Sequence, residues 1–214
     1  MMAHPVYRNK NGDKLPSVTT VLSRFKESGG LIHWAWQLGM EGKDYRKVRD
    51  EAADAGTIAH LMVEADIRGK EFPDKAKYDK ELWDKAFNAY GAYLEWKNQT
   101  QLRSENSEVS LVCECHQTGG TLDTILVQNK RSMGDWKSSN AIYLEYLIQL
   151  AAYRHLWEVN NPDKPIEGGF HLLRFSKENC DFTHHYWANL DEAWDAFVHM
   201  RALYEITKQL KKRI

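Results

Sequence analysis

Apolar and small residues recur every three or four positions in four long segments of the chain, and this spacing predicts amphipathic helices. In the segment 43–69, Val48, Ile58 and Met62 fall on one helical face, and Gly69 is a natural stop. The other three long segments are 77–101, 141–159 and 190–214. Two shorter helices are predicted nearer the start of the chain: one after Ser17, a plausible N-cap, and one over 31–42, with Gly29-Gly30 interrupting between them.

A different pattern begins near Glu108, where short runs rich in β-branched residues replace the helical spacing. Breaks at Gly119-Gly120 and around Asn129-Lys130 divide these runs, which predicts three strands in an antiparallel meander. Two further strands are predicted between 168 and 187, separated by the polar stretch 176–179. The predicted order is therefore helices, three strands, a helix, two strands and a helix, which indicates an α/β or α+β fold.

Length and composition favour one folded domain. The chain has 214 residues, of which 43% are hydrophobic, so we expect 1–214 to be a single domain. Residues 1–101 are predicted to be mainly helical, and 102–214 to form a sheet core with flanking helices. The 29 Lys and Arg residues balance 30 Asp and Glu residues, so a polyanionic partner would have to be held by a local patch or by metal ions.

Targeting signals and cysteine usage indicate a cytoplasmic protein. The first ten residues contain no apolar signal region, and no window is long and apolar enough for a membrane span. Three cysteines, Cys113, Cys115 and Cys180, do not make a disulfide framework. Cys113 and Cys115 are two apart in an alternating segment and are predicted to pack on one strand face. A zinc or redox group formed by these two cysteines and His116 is a disfavoured alternative that a metal assay would test.

Two pairs of polar residues are placed for chemistry on predicted helices. His60 and Glu64 are four residues apart, so both project from one helical face, and Gln149 and Tyr153 have the same spacing on a later helix. Each pair also has an ordinary structural interpretation. His60 would then be a core histidine, and Gln149 and Tyr153 would complete an apolar helix face.

Two carboxylates and a lysine lie on the predicted strands between these helices. Asp135 and Lys137 are two residues apart and share one strand face, and Asp123 lies on the preceding strand. Carboxylate oxygens are suitable ligands for a hard cation such as Mg²⁺, and a lysine beside them can orient or deprotonate an attacking water. This combination is typical of metal-assisted phosphodiester hydrolysis.

The four motifs, in this order, resemble the RecB-like branch of the PD-(D/E)xK nuclease superfamily. They are His-x-x-x-Glu in AGTIAHLMVE, Gly-x-x-Asp in GTLD, Asp-x-Lys in GDWKSS and Gln-x-x-x-Tyr in QLAAY. The early segment PSVTTVL also resembles a Ser-Val-Thr segment that many members carry, and the resemblance spans about 16–153. It implies a restriction-endonuclease-like α/β core, a central mixed sheet flanked by helices, with an N-terminal helical elaboration.

The resemblance also implies roles for individual residues. Asp123, Asp135, the backbone carbonyl of Trp136 and His60 would be metal ligands, and Glu64 would be a ligand directly or through water. Lys137 would be the catalytic lysine. The residues implied to brace the site or contact the nucleic acid are Gln149, Tyr153, Ser17, Thr19 and Thr20. Asp135 stands where many relatives have Glu, which shortens the carboxylate arm and keeps its charge.

The expected function is that of a Mg²⁺- or Mn²⁺-dependent DNA exonuclease in recombination, repair or phage DNA metabolism. It would be a bacterial protein, or a phage protein in the host cytoplasm, with DNA ends as substrate and a single-strand-annealing or single-strand-binding protein as a partner. Three cysteines are too few for the four-cysteine iron–sulfur site of some members, so no cluster is expected. The alternatives are a structure-selective or nicking DNA endonuclease, and a non-catalytic DNA-end-binding recombination accessory protein.

Overall fold

The computed structural model describes residues 5–26, 28–139 and 141–214. Its α-helices are α1 (Val18–Leu22), α2 (Gly29–Met40), α3 (Tyr45–Arg68), α4 (Lys80–Gln99), α5 (Leu144–Asn160) and α6 (Asp191–Lys211). Its strands are β1 (Tyr7–Arg8), β2 (Lys14–Leu15), β3 (Arg103–Cys113), β4 (Thr118–Val127), β5 (Arg131–Lys137), β6 (Phe170–Phe175) and β7 (Phe182–Trp187). A short 3-10 helix, Lys75–Lys77, precedes α4.

Five strands form the central sheet in the order β3-β4-β5-β6-β7. The first three make the predicted antiparallel meander, and β6 and β7 are also antiparallel. Strands β5 and β6 are parallel, so the chain must cross over between them, and α5 is the crossover helix. The sheet is therefore mixed, and the predicted restriction-endonuclease-like α/β class with an N-terminal helical region is confirmed.

Helices cover both faces of the sheet because successive strand residues point to opposite sides. On one side Ile125 and Leu172 belong to a core formed with α1, α5 and α6. On the other side, the next residues along each strand, Leu126 and Leu173, pack with α3 and α4. Trp96 of α4 is the largest fully buried side chain of this second core. Burying an aliphatic or aromatic side chain of this size contributes roughly 1.5–3 kcal/mol, so both layers hold the sheet in place.

The long helices begin and end at the residues that their capping chemistry dictates. The side chain of Asp44 accepts a hydrogen bond from the first turn of α3, and Asp79 does the same for α4. Helix α3 ends at Gly69, as the sequence predicted, and this glycine adopts the left-handed conformation with φ 61°. These caps fix the phase of α3, the helix that carries His60.

The predicted break at Gly119-Gly120 is wrong, because both glycines lie inside β4. A Cβ atom at Gly119 would overlap the ring of Tyr7, and one at Gly120 would lie 2.8 Å from Tyr153. The two glycines are thus required by close packing rather than by a turn. Strand β3 also begins at Arg103, earlier than the pattern predicted.

Three smaller differences concern the ends of elements. Gly29 and Gly30 form the first turn of α2 rather than lying between helices. The turn at 11–13 joins β1 and β2, a small hairpin that the pattern did not predict. Cys115 follows β3 and lies in the turn before β4, so it does not share a strand face with Cys113. Within the described residues, no helix has the length and apolar character needed to cross a membrane.

Candidate active site

Strands β4 and β5 place the two predicted carboxylates side by side. Thr124 pairs with Gly134 in the antiparallel ladder between these strands. Asp123 precedes Thr124 and Asp135 follows Gly134, so the two aspartates lie opposite each other on adjacent strands. The backbone N–H of Trp136 donates a hydrogen bond to Asp123 Oδ2 over 2.9 Å. Asp135 is completely buried. The sheet therefore holds two carboxylates in close contact within the interior of the protein.

Lys137 supplies the positive charge at this position. Its Nζ lies 2.5 Å from Asp135 Oδ2 and donates a hydrogen bond to Gln149 Oε1 over 3.2 Å. The same ammonium lies 4.9 Å from the centre of the Tyr146 ring, a cation–π contact. Two residues of α5, one turn apart, therefore hold the lysine beside Asp135. Tyr146 is a site neighbour that the motifs did not identify.

Gln149 and Tyr153 form a connected pair on α5. Gln149 Nε2 donates to the hydroxyl of Tyr153 over 2.9 Å and lies 3.5 Å from Asp135 Oδ1. Tyr153 approaches β4 closely because Gly120 has no side chain. The predicted bracing residues are thus brought to the carboxylates, and Gly120 of the Gly-x-x-Asp motif has a specific packing role.

His60 and a residue that sequence reasoning missed complete the cluster. One ligand atom each of His60, Glu108 and Asp123 lie within 4.8 Å of one another. Glu108 lies on β3 between residues that pair with Leu122 and Thr124, so it is opposite Asp123. Its backbone has φ 52°, unusual for a residue other than glycine. The only sequence signal was that Glu108 stands where the strand pattern begins, fifteen residues before Asp123.

Burial among like charges shifts the pKa values of the acids upward. Burial, then the charges of Asp123 and Glu64, raise the pKa of Glu108 to about 8. Burial likewise raises the pKa of Asp135 to about 7, although Lys137 opposes the shift. Burial raises the pKa of Asp123 too. Without a further cation, the cluster therefore binds protons that isolated carboxyl groups would release.

The two basic groups respond to the same surroundings. Burial lowers the pKa of His60 to about 4, helped by the Lys137 charge, so its imidazole is neutral at pH 7. A hydrogen bond with the backbone of Trp136 acts in the opposite direction and places that main chain beside His60. Burial also disfavours the Lys137 ammonium, but Asp135 and Asp123 outweigh it and raise the lysine pKa.

These residues fit a divalent cation of the kind the family resemblance implies. A neutral imidazole nitrogen and carboxylate oxygens are suitable donors for Mg²⁺ or Mn²⁺. Among the described residues, the buried Oδ2 of Asp135 is ion-paired with the Lys137 ammonium and accepts no hydrogen bond from another residue. Glu108 and Asp135 both lie near Asp123, and Lys137 is the one lysine in the described part of the chain that acts on these acids, so a cation would compensate the remaining negative charge. His60, Glu108, Asp123 and Asp135 are the residues that would hold it, with the backbone carbonyl of Trp136.

Glu64 lies on the same face of α3 as His60 but has other partners. Its Oε1 lies 2.8 Å from Arg68 Nη1 and 3.0 Å from Lys70 Nζ. Arg68 also donates to the backbone carbonyl of Ser107, next to Glu108. Glu64 therefore lies outside the group of three close ligand atoms, and it contributes negative charge that raises the pKa of Glu108.

The hydroxyls of Ser17, Thr19 and Thr20, which the resemblance implies to brace the site or contact the nucleic acid, contact one another. Ser17 caps α1 by accepting a hydrogen bond from the Thr20 N–H, and its hydroxyl contacts those of Thr19 and Thr20 over 3.0 and 2.7 Å. No hydrogen bond found among the described side chains connects these hydroxyls to the acidic cluster. In the structure the three residues form a helix cap attached beside β4 through Pro16 and Gly119, and their contact with the nucleic acid stays a prediction.

Comparison with known proteins gives a distant structural likeness. No family model matches the chain, and no curated protein matches it either. A crystal structure of a protein named "Putative exonuclease", from Eubacterium rectale, is similar at 14% sequence identity and a TM-score of 0.48. The match covers 70% of this chain and spans 64% of the length of that protein.

Proposed function

We propose that this chain is a divalent-metal-dependent deoxyribonuclease that removes nucleotides from DNA ends. The observation that carries the proposal is the meeting of Asp123, Asp135 and Lys137 with His60 and Glu108, five side chains from three strands and a helix. Mg²⁺ or Mn²⁺ would be the cofactor. The biological setting would be recombination, repair or phage DNA metabolism, with a single-strand-annealing or single-strand-binding protein as a partner.

The cation, when bound, would neutralise negative charge on the phosphate and supply an acidic water. The residues of the chain then have separate tasks. Lys137 stabilises negative charge at the attacking oxygen or the phosphate, because its raised pKa keeps it protonated at neutral pH. Gln149 and Tyr146 prevent this long side chain from moving away. Tyr153 orients Gln149 in turn.

We assign the requirement for a DNA end to the helices before Gly69. Helix α2 has no buried residue, and Trp36 on it is 59% exposed. It contacts the start of α3, the helix that carries His60, through the edge of Trp34 against Tyr45. In this proposal α2 and the basic first turns of α3 limit access, so that only a free strand end reaches the carboxylates.

The first experiment tests catalysis with end-labelled single- and double-stranded DNA in Mg²⁺ or Mn²⁺, followed over time. We expect the wild-type protein to release nucleotides and the folded Asp135→Asn variant to be slower by orders of magnitude. Glu105→Gln is the matched control, since this β3 carboxylate is ion-paired with Arg131 instead. DNA binding without metal-dependent release in the wild type would support the accessory-protein alternative.

The second experiment tests the need for an end, and it uses one plasmid in two forms. We expect progressive shortening of the linearised plasmid while the covalently closed, supercoiled plasmid stays intact. Discrete cuts in the closed plasmid would instead support the structure-selective or nicking endonuclease. The two experiments together separate the chemistry from the end requirement.

A further inference from the structure

A second group of ligand-type side chains lies at the far end of β3. Cys113 is the last residue of that strand, Cys115 lies in the turn that leads to β4, and His155 lies on α5. The two Sγ atoms are 2.8 Å apart, and His155 Nε2 lies 3.6 Å from Cys113 Sγ and 3.7 Å from Cys115 Sγ. Both cysteines are free thiols. Two sulfur donors from the end of β3 and its turn thus lie close to a nitrogen donor from α5.

The surroundings hold these donors in place. Cys113 is buried, with 1% of its surface exposed, and accepts a hydrogen bond from the backbone N–H of His116 over 3.4 Å. The His155 ring stacks on Trp194 of α6 with centroids 4.1 Å apart. The imidazole orientation is therefore set by packing, with Nε2 directed at the sulfurs. The His116 ring contacts the same histidine edge to face, at 5.0 Å.

We propose that Cys113, Cys115 and His155 bind one Zn²⁺ ion, in a structural site separate from the carboxylate cluster. Thiolate sulfur and imidazole nitrogen are the ligands that structural zinc prefers. Tetrahedral bonds of about 2.3 Å to sulfur and about 2.1 Å to nitrogen require an S···N separation of roughly 3.6 Å. The two observed S···N distances have this value.

Zinc binding requires one local movement. The same tetrahedron requires the two sulfurs to be roughly 3.8 Å apart, so they must separate from 2.8 Å by about 1 Å. Cys115 is exposed in a turn and can make this movement, whereas Cys113 is enclosed by the core. The fourth position is left to water, because the His116 ring lies against His155 and is not one of the three donors that lie close together. The sequence pattern associated His116 with the two cysteines, and the structure brings His155 there instead.

The position of the site gives it a stabilising function. A bound ion would connect the β3–β4 turn to α5, two residues beyond Tyr153. Cys113 lies five residues beyond Glu108 on the same strand. The ion would thus fix β3 against the helix that carries Gln149 and Tyr153, and it would stabilise the fold without taking part in hydrolysis.

The test uses Co²⁺ alone as the probe, because cobalt bound by thiolate has a charge-transfer absorption that carboxylate or imidazole ligands do not produce. The reduced full-length protein should bind one equivalent with this absorption, and Zn²⁺ should displace it. Cys115→Ser, chosen because its side chain is exposed, should weaken binding by at least about a hundredfold, as should His155→Gln. Cys180→Ser, which changes the third thiol, should bind like the wild type.

Three further measurements distinguish this zinc site from metal binding at the carboxylates and from a redox pair of cysteines. Zn²⁺ should raise the melting temperature of the wild type and of Cys180→Ser by several degrees more than it raises that of Cys115→Ser, which retains only the carboxylate cluster. Asp123→Asn should retain the cobalt absorption, because the carboxylate cluster contains no sulfur. The proposal is overturned if the reduced wild type shows no thiolate absorption, or if Cys115→Ser keeps it. It is also overturned if mass spectrometry of the protein purified without reductant finds a Cys113–Cys115 disulfide in place of bound metal.

Discussion

Glu108 lies opposite Asp123 across the β3–β4 ladder, with a backbone conformation that few residues other than glycine adopt. Two acids on neighbouring strands repel each other, and His60 and Asp135 enclose the pair further. A polypeptide does not gain folding stability from this arrangement. A cation that compensates the charge of these acids would account for the arrangement.

Glu108→Gln should change activity and stability in opposite directions. In the proposed site the Glu108 carboxylate is a metal ligand, so its removal should lower metal-dependent hydrolysis by at least roughly a hundredfold. It also removes a source of repulsion, so the melting temperature in EDTA should stay the same or rise. Thermal melts with EDTA and rate assays over a Mn²⁺ titration measure both effects. Glu105→Gln is the control, and unchanged activity in Glu108→Gln would remove Glu108 from the site.

The metal-free protein should lose stability as pH rises from about 6.5 to 8. Glu108 binds a proton with a pKa of about 8 when folded, against 4.5 normally, so the folded state holds more protons and stability falls with rising pH. His60 has the opposite effect, because its pKa is about 4 in the folded state against 6.5 normally. Between these pH values its titration makes stability rise with pH, which offsets the loss due to Glu108 below pH 6.5. The fall should be on the order of 1 kcal/mol, since one pKa unit corresponds to about 1.4 kcal/mol.

Urea denaturation at stepped pH in EDTA measures this fall. The slope should be smaller in Glu108→Gln, which lacks one of the two acids that titrate in this range; Asp135, with a raised pKa of about 7, remains. It should also be smaller with saturating Mn²⁺, because the cation replaces the protons. Stability that rises between these pH values in the metal-free wild type would contradict the assignment of Glu108 as a buried, repelled acid.

Lys137→Ala should lower the rate of hydrolysis far more than DNA affinity. The ammonium lies against Asp135 and is held by Gln149, so its charge is directed into the site. Loss of such a group costs roughly 10²–10⁴ in rate. Single-turnover rates and equilibrium binding to the same labelled DNA separate the two effects. Lys85→Ala, which breaks an exposed pair with Glu81, is the control. A normal rate with weakened binding would make Lys137 a phosphate contact.

His60→Ala should weaken activity in a way that additional Mn²⁺ partly restores. A neutral imidazole near Glu108 and Asp123 would be a metal donor, and its loss would reduce metal affinity more than the stability of the fold. The melting temperature in EDTA should change little. His171→Ala is the comparison, because this buried histidine pairs with His184 at 2.8 Å outside the site. A large loss of metal-free stability without Mn²⁺ rescue would favour the core-histidine interpretation.

Gly120→Ala should disturb the site through Tyr153. The added Cβ would lie 2.8 Å from Tyr153 and 2.9 Å from Leu156, so α5 must shift or the tyrosine must move. Such overpacking costs about 1–3 kcal/mol of stability. The shift also disrupts the hydrogen bond between Gln149 and Tyr153, which Tyr153→Phe removes as well. The rate loss of the double variant should therefore be smaller than the combined losses of Gly120→Ala and Tyr153→Phe. Gly39→Ala, where a Cβ meets no atom within 4 Å, is the control; additive rate losses would contradict the mechanism.

Local periodicity was enough to predict most elements and several neighbours. A strand places residues two apart on one face, and a helix places residues four apart together. This is why the ion pair of Asp135 with Lys137 and the bond between Gln149 and Tyr153 lie where the sequence indicated. Both contacts join residues on one strand or one helix, so they depend only on the backbone geometry that the residue pattern predicts.

Only the tertiary structure decided which distant residues meet. Glu108 faces Asp123 because of strand register and an unusual backbone angle, and His155 meets the two cysteines because α5 packs across the end of β3. Gly119 and Gly120 resemble a turn in sequence but lie in a strand, because Tyr7 and Tyr153 fill the space that side chains would occupy. Contacts between residues far apart in the chain depend on register and packing, and neither has a local periodic signal.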